Sequence, residues 1–317
     1  MQKFLTFIRT LKITYILYNL VHYRRLLSNR NLYQKYGLKK SVFAPISSSD
    51  FRGFTSEIPW LDREDAHTAV VNHPEFAAFS PEIQQQILGW IDHGFLILKQ
   101  FISSEKVAQI NEEVDRLIRE KVVSFHASGR IMFAYRQSAI MKVLVADKML
   151  VKLMSFLTGK KMKAFQSINF LKGSQQRPHS DSIHMTTFPL GYLTATWLAL
   201  EDVNDQNGGL IYYPGSHKLP YILNNDFPYG GGFFTLGSDA NRHYEDKIEA
   251  LIKEYNLQPA TFVAQPGDLL IWHANLIHGG HPIQKAGSTR KSMVVHYFAE
   301  DVIAYHEMTQ RPALRWE

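Results

Sequence analysis

His179 and Asp181 lie two residues apart in Gln176-Arg177-Pro178-His179-Ser180-Asp181-Ser182-Ile183-His184. On an extended strand, residues i and i+2 point to the same side. One imidazole and one carboxylate on a common face are two corners of a two-histidine, one-carboxylate triad. Non-haem Fe(II) oxygenases use that triad because three protein ligands leave positions open for co-substrate and oxygen. The tripeptide alone reads equally as a turn or a cap, so the chemistry needs a distant third ligand and an anchor for the co-substrate.

Both lie downstream. Gly267-Asp268-Leu269-Leu270-Ile271-Trp272-His273-Ala274-Asn275-Leu276-Ile277-His278-Gly279-Gly280 reads as one strand ending in a histidine and glycines. Arg290 follows twelve residues after His278 and leads Arg290-Lys291-Ser292-Met293-Val294-Val295-His296-Tyr297-Phe298. Adjacent antiparallel strands are expected to carry His278 and Arg290 on one inner wall, with Ser292 facing the same way. The two-pronged guanidinium suits a carboxylate. His273 competes as third ligand, but its odd offset from His278 on a regular strand aims it at the opposite face and makes it structural. His184 falls in the segment expected to pass over the metal, as a substrate contact, and Gln166 either reaches the site or faces outward. His296 reads as a core histidine, and His217 as a turn lock.

These residues need a frame. The chain has 317 residues, 45% of them hydrophobic, enough for a sizeable core, and no cysteine. Disulfides, thiolate metal sites and thiol nucleophiles are thereby excluded, leaving His, Asp and Glu as ligands. Residues 81–92 read as a helix behind a Ser80-Pro81 start, Phe95–Phe101 as a strand, and Val107, Ile110, Val114, Leu117 and Ile118 as one helix face. A further helix covers Lys148–Leu157 and stops at Gly159. From about Met162 short apolar runs alternate with Gly and Pro turns: Ala164–Leu171, Thr194–Leu200, Gly209–Tyr213, Thr261–Ala264, Asp268–Trp272 and Ser292–Phe298. That spacing predicts a sandwich or barrel. Only His243–Asn256 interrupts it with a helical pattern. The expectation is an α+β chain, with a helical N-terminal half packed on a β-core at about 162–300 within one domain, 46–317.

The first 45 residues stand apart. Of the 35 Lys and Arg, nine fall within residues 1–40, where there is no Asp or Glu; the remainder holds 26 basic against 29 acidic residues. Phe4, Phe7, Ile8, Leu11, Tyr15 and Tyr18 make one helical stripe, and Ile13, Ile16, Leu17 and Leu20 a second on the other side. The longest run free of Lys, Arg and His is Ile13–Val21, too short for a span of about 20 residues. Arg9 and Lys12 also spoil a signal-peptide core. Two apolar faces favour docking on the body; nine uncompensated cations favour an anionic lipid surface. Pro45–Asp50 reads as a linker. A cytoplasmic chain with peripheral contact to the inner face of a membrane through residues 1–40 is the expectation. The body lacks the aromatic-basic interleaving of a nucleic-acid binder.

The C-terminal half resembles the phytanoyl-CoA dioxygenase family of Fe(II)/2-oxoglutarate-dependent oxygenases. The stretches that carry the likeness are SINFLKGSQQRPHSD, TATWLALEDVNDQNGGLIYYPGSHK and QPGDLLIWHANLIHGG followed by RKSMVVHYF, in family order within about 130 residues. The segment DHGFLILKQF and its flanking helices are similar to the family's start. The arm and Leu219–Pro259 have no counterpart, and the His278 to Arg290 spacing is one residue longer than the commonest family pattern.

The resemblance implies a double-stranded β-helix (jelly-roll, cupin-like) core flanked by N-terminal helices. It also implies His179, Asp181 and His278 as ligands to Fe(II), and Arg290 on the distal carboxylate of 2-oxoglutarate with Ser292 assisting. Trp197 would wall the site and Asn169 would lie near the co-substrate. Asp181 fills the position that related halogenases leave open for chloride, which favours hydroxylation by O2 with release of succinate and CO2. Three functions stay in view: a hydroxylase of a lipid or acyl-like small molecule, a hydroxylase of a soluble amino-acid or natural-product intermediate, and a non-catalytic metal-binding jelly-roll module. The helix within 221–260, with Tyr229-Gly230-Gly231-Gly232, is expected as a lid. Oligomeric state is not indicated.

Overall fold

The computed structural model describes residues 10–126, 129–232 and 234–314. Phe4, Phe7 and Ile8 of the expected arm stripe lie outside them. The helices are α1 (Lys12–Val21), α2 (Tyr23–Leu26), α3 (Ser28–Lys35), α4 (Ala66–Val71), α5 (Pro81–His93), α6 (Ser104–Arg119), α7 (Ala139–Val145), α8 (Lys148–Thr158) and α9 (Ala240–Glu254). The strands are β1 (Phe95–Leu98), β2 (Arg130–Met132), β3 (Met162–Phe170), β4 (Thr186–Phe188), β5 (Leu193–Ala199), β6 (Leu210–Tyr212), β7 (Ala260–Phe262), β8 (Leu269–His273), β9 (His278–Gly280), β10 (Ser292–Ala299), β11 (Ile303–His306) and β12 (Arg311–Pro312).

Local chemistry sets the helix limits. Ser80 caps α5 by accepting from Ile83 N, and Gly94 ends it at φ 76°. A Cβ on Gly94 would sit 2.4 Å from the His217 ring, so only glycine turns the chain there. Ser103 caps α6, whose Val107, Ile110, Val114 and Leu117 are buried as their spacing predicts.

The strands form a six-stranded antiparallel sheet, β1-β8-β5-β10-β3-β2, a facing sheet β7-β6-β9, and a third, β12-β11-β4. Strand alternation divides the core. Leu198, Leu269, Ile271, Met293, Val295 and Tyr297 point out of the large sheet into the helical layer. Trp197, Leu270, Trp272 and Val294 point inward, to meet Leu210, Tyr212 and Phe262 of the facing sheet. Two antiparallel sheets closed over one interior make the expected double-stranded β-helix.

Residues 10–40 dock on the third sheet. Leu26 and Tyr33 pack with Val42, Ile46, Phe51, Phe188, Ile303 and Tyr305. Asn19 donates to Phe43 O, Asn29 donates to Ala313 O, and Lys35 pairs with Asp301 at 2.8 Å. The stretch read as a linker is fastened. Ile46 N donates to Gln310 O, Ser47 and Asp50 form a capping box, and the buried carboxylate of Glu307 accepts from Ser48 N at 2.8 Å and Ser48 Oγ at 2.6 Å. Asn224 N reaches the same carboxylate at 3.1 Å. Proline and serine here mark a turn with side-chain partners rather than free chain.

Candidate active site

His179 and His278 are brought together by their backbones. His179 N donates to His278 O at 2.9 Å, and His278 N donates to His179 O at 2.8 Å. This reciprocal pair is an antiparallel bridge, which sets the two side chains side by side. The ring centroids lie 4.5 Å apart. The glycines after His278 have a spatial cause. A Cβ on Gly279 would lie 2.9 Å from Gln176 O, and one on Gly280 2.7 Å from Gln175 N. The loop carrying His179 passes directly over them.

Three sequence expectations are corrected in detail. The segment 267–280 is two strands, not one: β8 ends at His273, and a turn intervenes before β9. His273 is set apart by that turn, and it is structural, 3.2 Å from Asp62 Oδ2. His278 and Arg290 lie on opposite sheets, since β9 pairs with β6 while β10 pairs with β3 and β5. They face one another across the cleft rather than sharing a wall. Asp181 begins a short 3-10 turn, Asp181–Ile183, instead of continuing a strand.

The ligand atoms of His179, Asp181 and His278 all lie within 4.8 Å of one another, and all three side chains are buried. Each imidazole is held in one tautomer. Nδ1 of His179 is 2.9 Å from Arg177 O, and Nδ1 of His278 is 2.9 Å from Leu276 O. A carbonyl only accepts, so both Nδ1 atoms carry the proton and both Nε2 lone pairs are free for a metal. Burial, followed by the neighbouring His278 and His184, holds His179 well below the ordinary histidine range. It is therefore neutral, as ligation requires. Burial alone would raise the Asp181 carboxyl, but His278, His296 and His179 around it outweigh burial and hold it far below the usual carboxylate range. Asp181 Oδ2 accepts from Trp272 Nε1 at 2.8 Å, and Oδ1 is 3.7 Å from His278 Nε2.

The cleft at this cluster has a volume of about 250 Å3, with Gln166, His184, Trp197 and Arg290 among its lining residues. Arg290 is 2% exposed and its Nε has no hydrogen-bond partner. Its guanidinium lies 5.0 Å from the Trp197 ring centroid and 5.6 Å from that of Phe170. Burial pushes it down to about 10, with Glu201 only partly offsetting. Among the described residues no carboxylate lies within ion-pair distance of it, an expensive state for a buried cation unless an anion is brought in. Ser292 shares the inward face with Val294 and His296, and its buried Oγ is also unpartnered. These orphaned groups fit a dicarboxylate co-substrate.

Asn169 does not join them. Gln166, Ile168 and Phe170 line the cleft, so Asn169, one residue out of phase, faces the helical layer opposite Met293 and Ile131. Sequence reasoning missed His296, whose Nε2 lies 3.6 Å from Asp181 Oδ2, and Trp272, which orients the same carboxylate. It also missed Arg130 and His306 on the cleft wall. Nor does the expected lid line the cleft. The buried Tyr244 of α9 instead hydrogen-bonds Ser180, its OH 2.9 Å from Ser180 N and 3.1 Å from Oγ. Glu245, Asp246 and Glu249 of the same helix hold Arg177. This helix backs the ligand loop because its apolar face is sunk into a cluster with Ile183, Tyr213 and Ile277.

Fold and cluster together define a class, the double-stranded β-helix proteins that bring two histidines and a carboxylate together in a buried cleft. Within it, the chain belongs to the phytanoyl-CoA dioxygenase family, whose model matches residues 90–292. Peroxisomal phytanoyl-CoA dioxygenase of Rattus norvegicus is 24% identical over 238 residues, 66% of each chain. That of Homo sapiens is 22% identical over 275 residues, 74% of this chain and 78% of the human one. The chain spans just under two thirds of the first relatives it matches. Among solved structures, the non-heme alpha ketoglutarate dependent carbocyclase SnoK from nogalamycin biosynthesis superposes with TM-score 0.56 at 15% identity, covering 73% of this chain and 88% of its own. EctD from S. alaskensis with bound Fe gives 0.55 at 19% identity, covering 70% and 77%. At such identities the structural likeness concerns the fold.

Proposed function

We propose that this protein is an Fe(II)- and 2-oxoglutarate-dependent dioxygenase that hydroxylates an unactivated C–H bond of a hydrophobic, lipid-like small molecule. 2-Oxoglutarate and O2 become succinate and CO2, and one oxygen atom enters each organic product. The observation that carries the reading is a pair of unmet demands in one cleft: three converging ligand atoms, and a buried guanidinium with no carboxylate beside it among the described residues.

In this reading His179 Nε2, Asp181 and His278 Nε2 hold the iron. When bound, the iron supplies oxygen activation coupled to decarboxylation of 2-oxoglutarate. The chain does the positioning. Arg290 grips the far carboxylate of 2-oxoglutarate and Ser292 donates to it, while Trp197 packs against the guanidinium and keeps water from that pair. Trp272 and His296 fix the second oxygen of Asp181. His184 and Gln166, across the cleft, contact the substrate. About 250 Å3 is at the small end for a ligand pocket, so a long substrate presents only its reacting end.

A second reading, a soluble amino-acid or natural-product intermediate, draws on the polar wall of Arg130, Gln166, Gln176, His184 and His306. The test is incubation of lipid and aqueous cell extracts with protein, Fe(II), 2-oxoglutarate and isotopically labelled O2. Succinate release and a labelled product from the lipid fraction are expected, both lost in Asp181→Ala. Product only from the aqueous fraction selects the second reading, and no succinate with either extract leaves a non-catalytic module.

A further inference from the structure

We infer that the outward face of α1, with Arg24 and Arg25 of α2 beside it, seats this protein on an anionic phospholipid surface. Among the described residues, seven of the seventeen exposed large apolar side chains fall between Ile13 and Leu27. Single exposed apolar residues are ordinary, but a concentrated patch marks an interaction surface. Ile13, Leu17, Leu20 and Val21 are 53%, 57%, 45% and 81% exposed. Their i, i+4, i+7, i+8 spacing puts them on one helical stripe. The arm is not loose, because Asn19 on the other side of α1 is buried and bonded to Phe43 O. The stripe is thus presented outward by a docked helix.

Charge selects the occupant. Residues 1–40 hold nine Lys and Arg and no acidic residue; Lys35 and Lys40 are paired with Asp301 and Asp50, and Arg24 and Arg25 stand beside the patch. A second copy apposed about a two-fold axis would set this basic surface against itself. A bilayer with anionic headgroups meets both features, apolar side chains at the acyl boundary and arginines among the phosphates. A cavity of about 770 Å3 adjoins the patch, lined by Arg24, Arg25, Leu27 and Lys163 together with Phe165 and Phe298. Glu300 at its edge is paired with Lys161 at 3.1 Å.

This cavity is close to the catalytic cleft. Phe165 and Phe298 stack at 4.2 Å, and the Phe165 ring lies 6.2 Å from that of His296, which lines the cleft. Met185, another cleft residue, packs in the same apolar cluster. One layer of side chains separates the lipid-facing cavity from the chemistry. Docking stands on the arm alone; its meaning for substrate delivery rests on the dioxygenase reading.

The full chain is sedimented with phosphatidylcholine vesicles, with and without phosphatidylserine. Binding is expected only with phosphatidylserine, and is expected to be released by salt. Arg24→Gln with Arg25→Gln should weaken it by about 30-fold. Leu17→Glu with Val21→Glu should abolish it, while Val143→Glu, at an apolar position 64% exposed on α7, should leave it intact. Thermal stability and succinate release in lipid-free buffer report whether each variant is folded. Wild-type protein that ignores the vesicles overturns the inference, as does equal loss in Val143→Glu. Sedimentation velocity showing a dimer that Leu17→Glu with Val21→Glu dissociates would assign the patch to a second copy. A chain that releases succinate but ignores vesicles sinks this inference alone; one that binds vesicles but releases none sinks only the catalytic reading.

Discussion

The two oxygens of Asp181 are given different partners, and that division depends on Trp272 and His296. Trp272→Phe keeps an aromatic side chain but removes the indole donor to Oδ2. Metal affinity is expected to fall about 10- to 100-fold, read by Fe(II) or Mn(II) titration, beside a loss of stability of about 1 kcal/mol or more from the smaller buried ring. Arg290 offers a sharper contrast. Arg290→Met removes a buried cation that no carboxylate matches, so the ligand-free protein should become more stable by about 1 kcal/mol or more. The same change should raise the KM for 2-oxoglutarate roughly 100-fold. A fall in Tm would instead make Arg290 a structural residue. Residue types and spacing made His179, Asp181, His278 and Arg290 legible in sequence. His296 was misassigned because every residue of β10 is buried. With both faces of the sheet covered, alternation carries no polar signal to say which face meets the cleft.

At the scale of elements, α9 behaves as a brace. Its Tyr244 hydroxyl binds Ser180, the residue between two proposed ligands, and its carboxylates hold Arg177, whose carbonyl fixes the His179 tautomer. Tyr244→Phe is expected to lower metal affinity about tenfold and global stability by about 1 kcal/mol. Titration calorimetry and urea denaturation would measure the two, and unchanged affinity would show the brace to be idle. The longer strands were readable from their apolar runs and turns, as were α5, α6 and α8. β2 and β4, three residues each, were not read, and β9 was read as the end of one longer strand. The position of α9 was also hidden. Its amphipathic pattern announces a buried face but not what the face is buried against.

For the molecule as a whole, acid is the natural stress. Burial chiefly holds His184 down to about 4, His217 down to about 3, and His306 well below the ordinary range. In the unfolded chain each titrates near ~6.5. Above that pH neither state binds the proton; below it the unfolded chain takes up protons that the folded one refuses. Stability is therefore expected to be full above about pH 6.5 and to decline toward pH 4, by at most about 1.4 kcal/mol per pH unit for each group. His184 and His306 keep some contact with solvent, so their share is the smaller. Urea denaturation of the metal-free protein from pH 7.5 to 5 checks this, and a flat profile would mean that these imidazoles accept protons in the fold. Among the described residues no helix is long and apolar enough to cross a membrane.

The carboxylate of Glu307 ties Ser48, just beyond the arm, to the loop at Asn224. Glu307 follows His306, which lines the cleft, so arm and cleft are fastened to the same segment. A catalyst hung from a slack tether samples every heading and finds its substrate by tumbling. One keyed at this joint, once seated on a film, would glide with its mouth at a constant heading, and lateral traffic in two dimensions would set the pace of encounter.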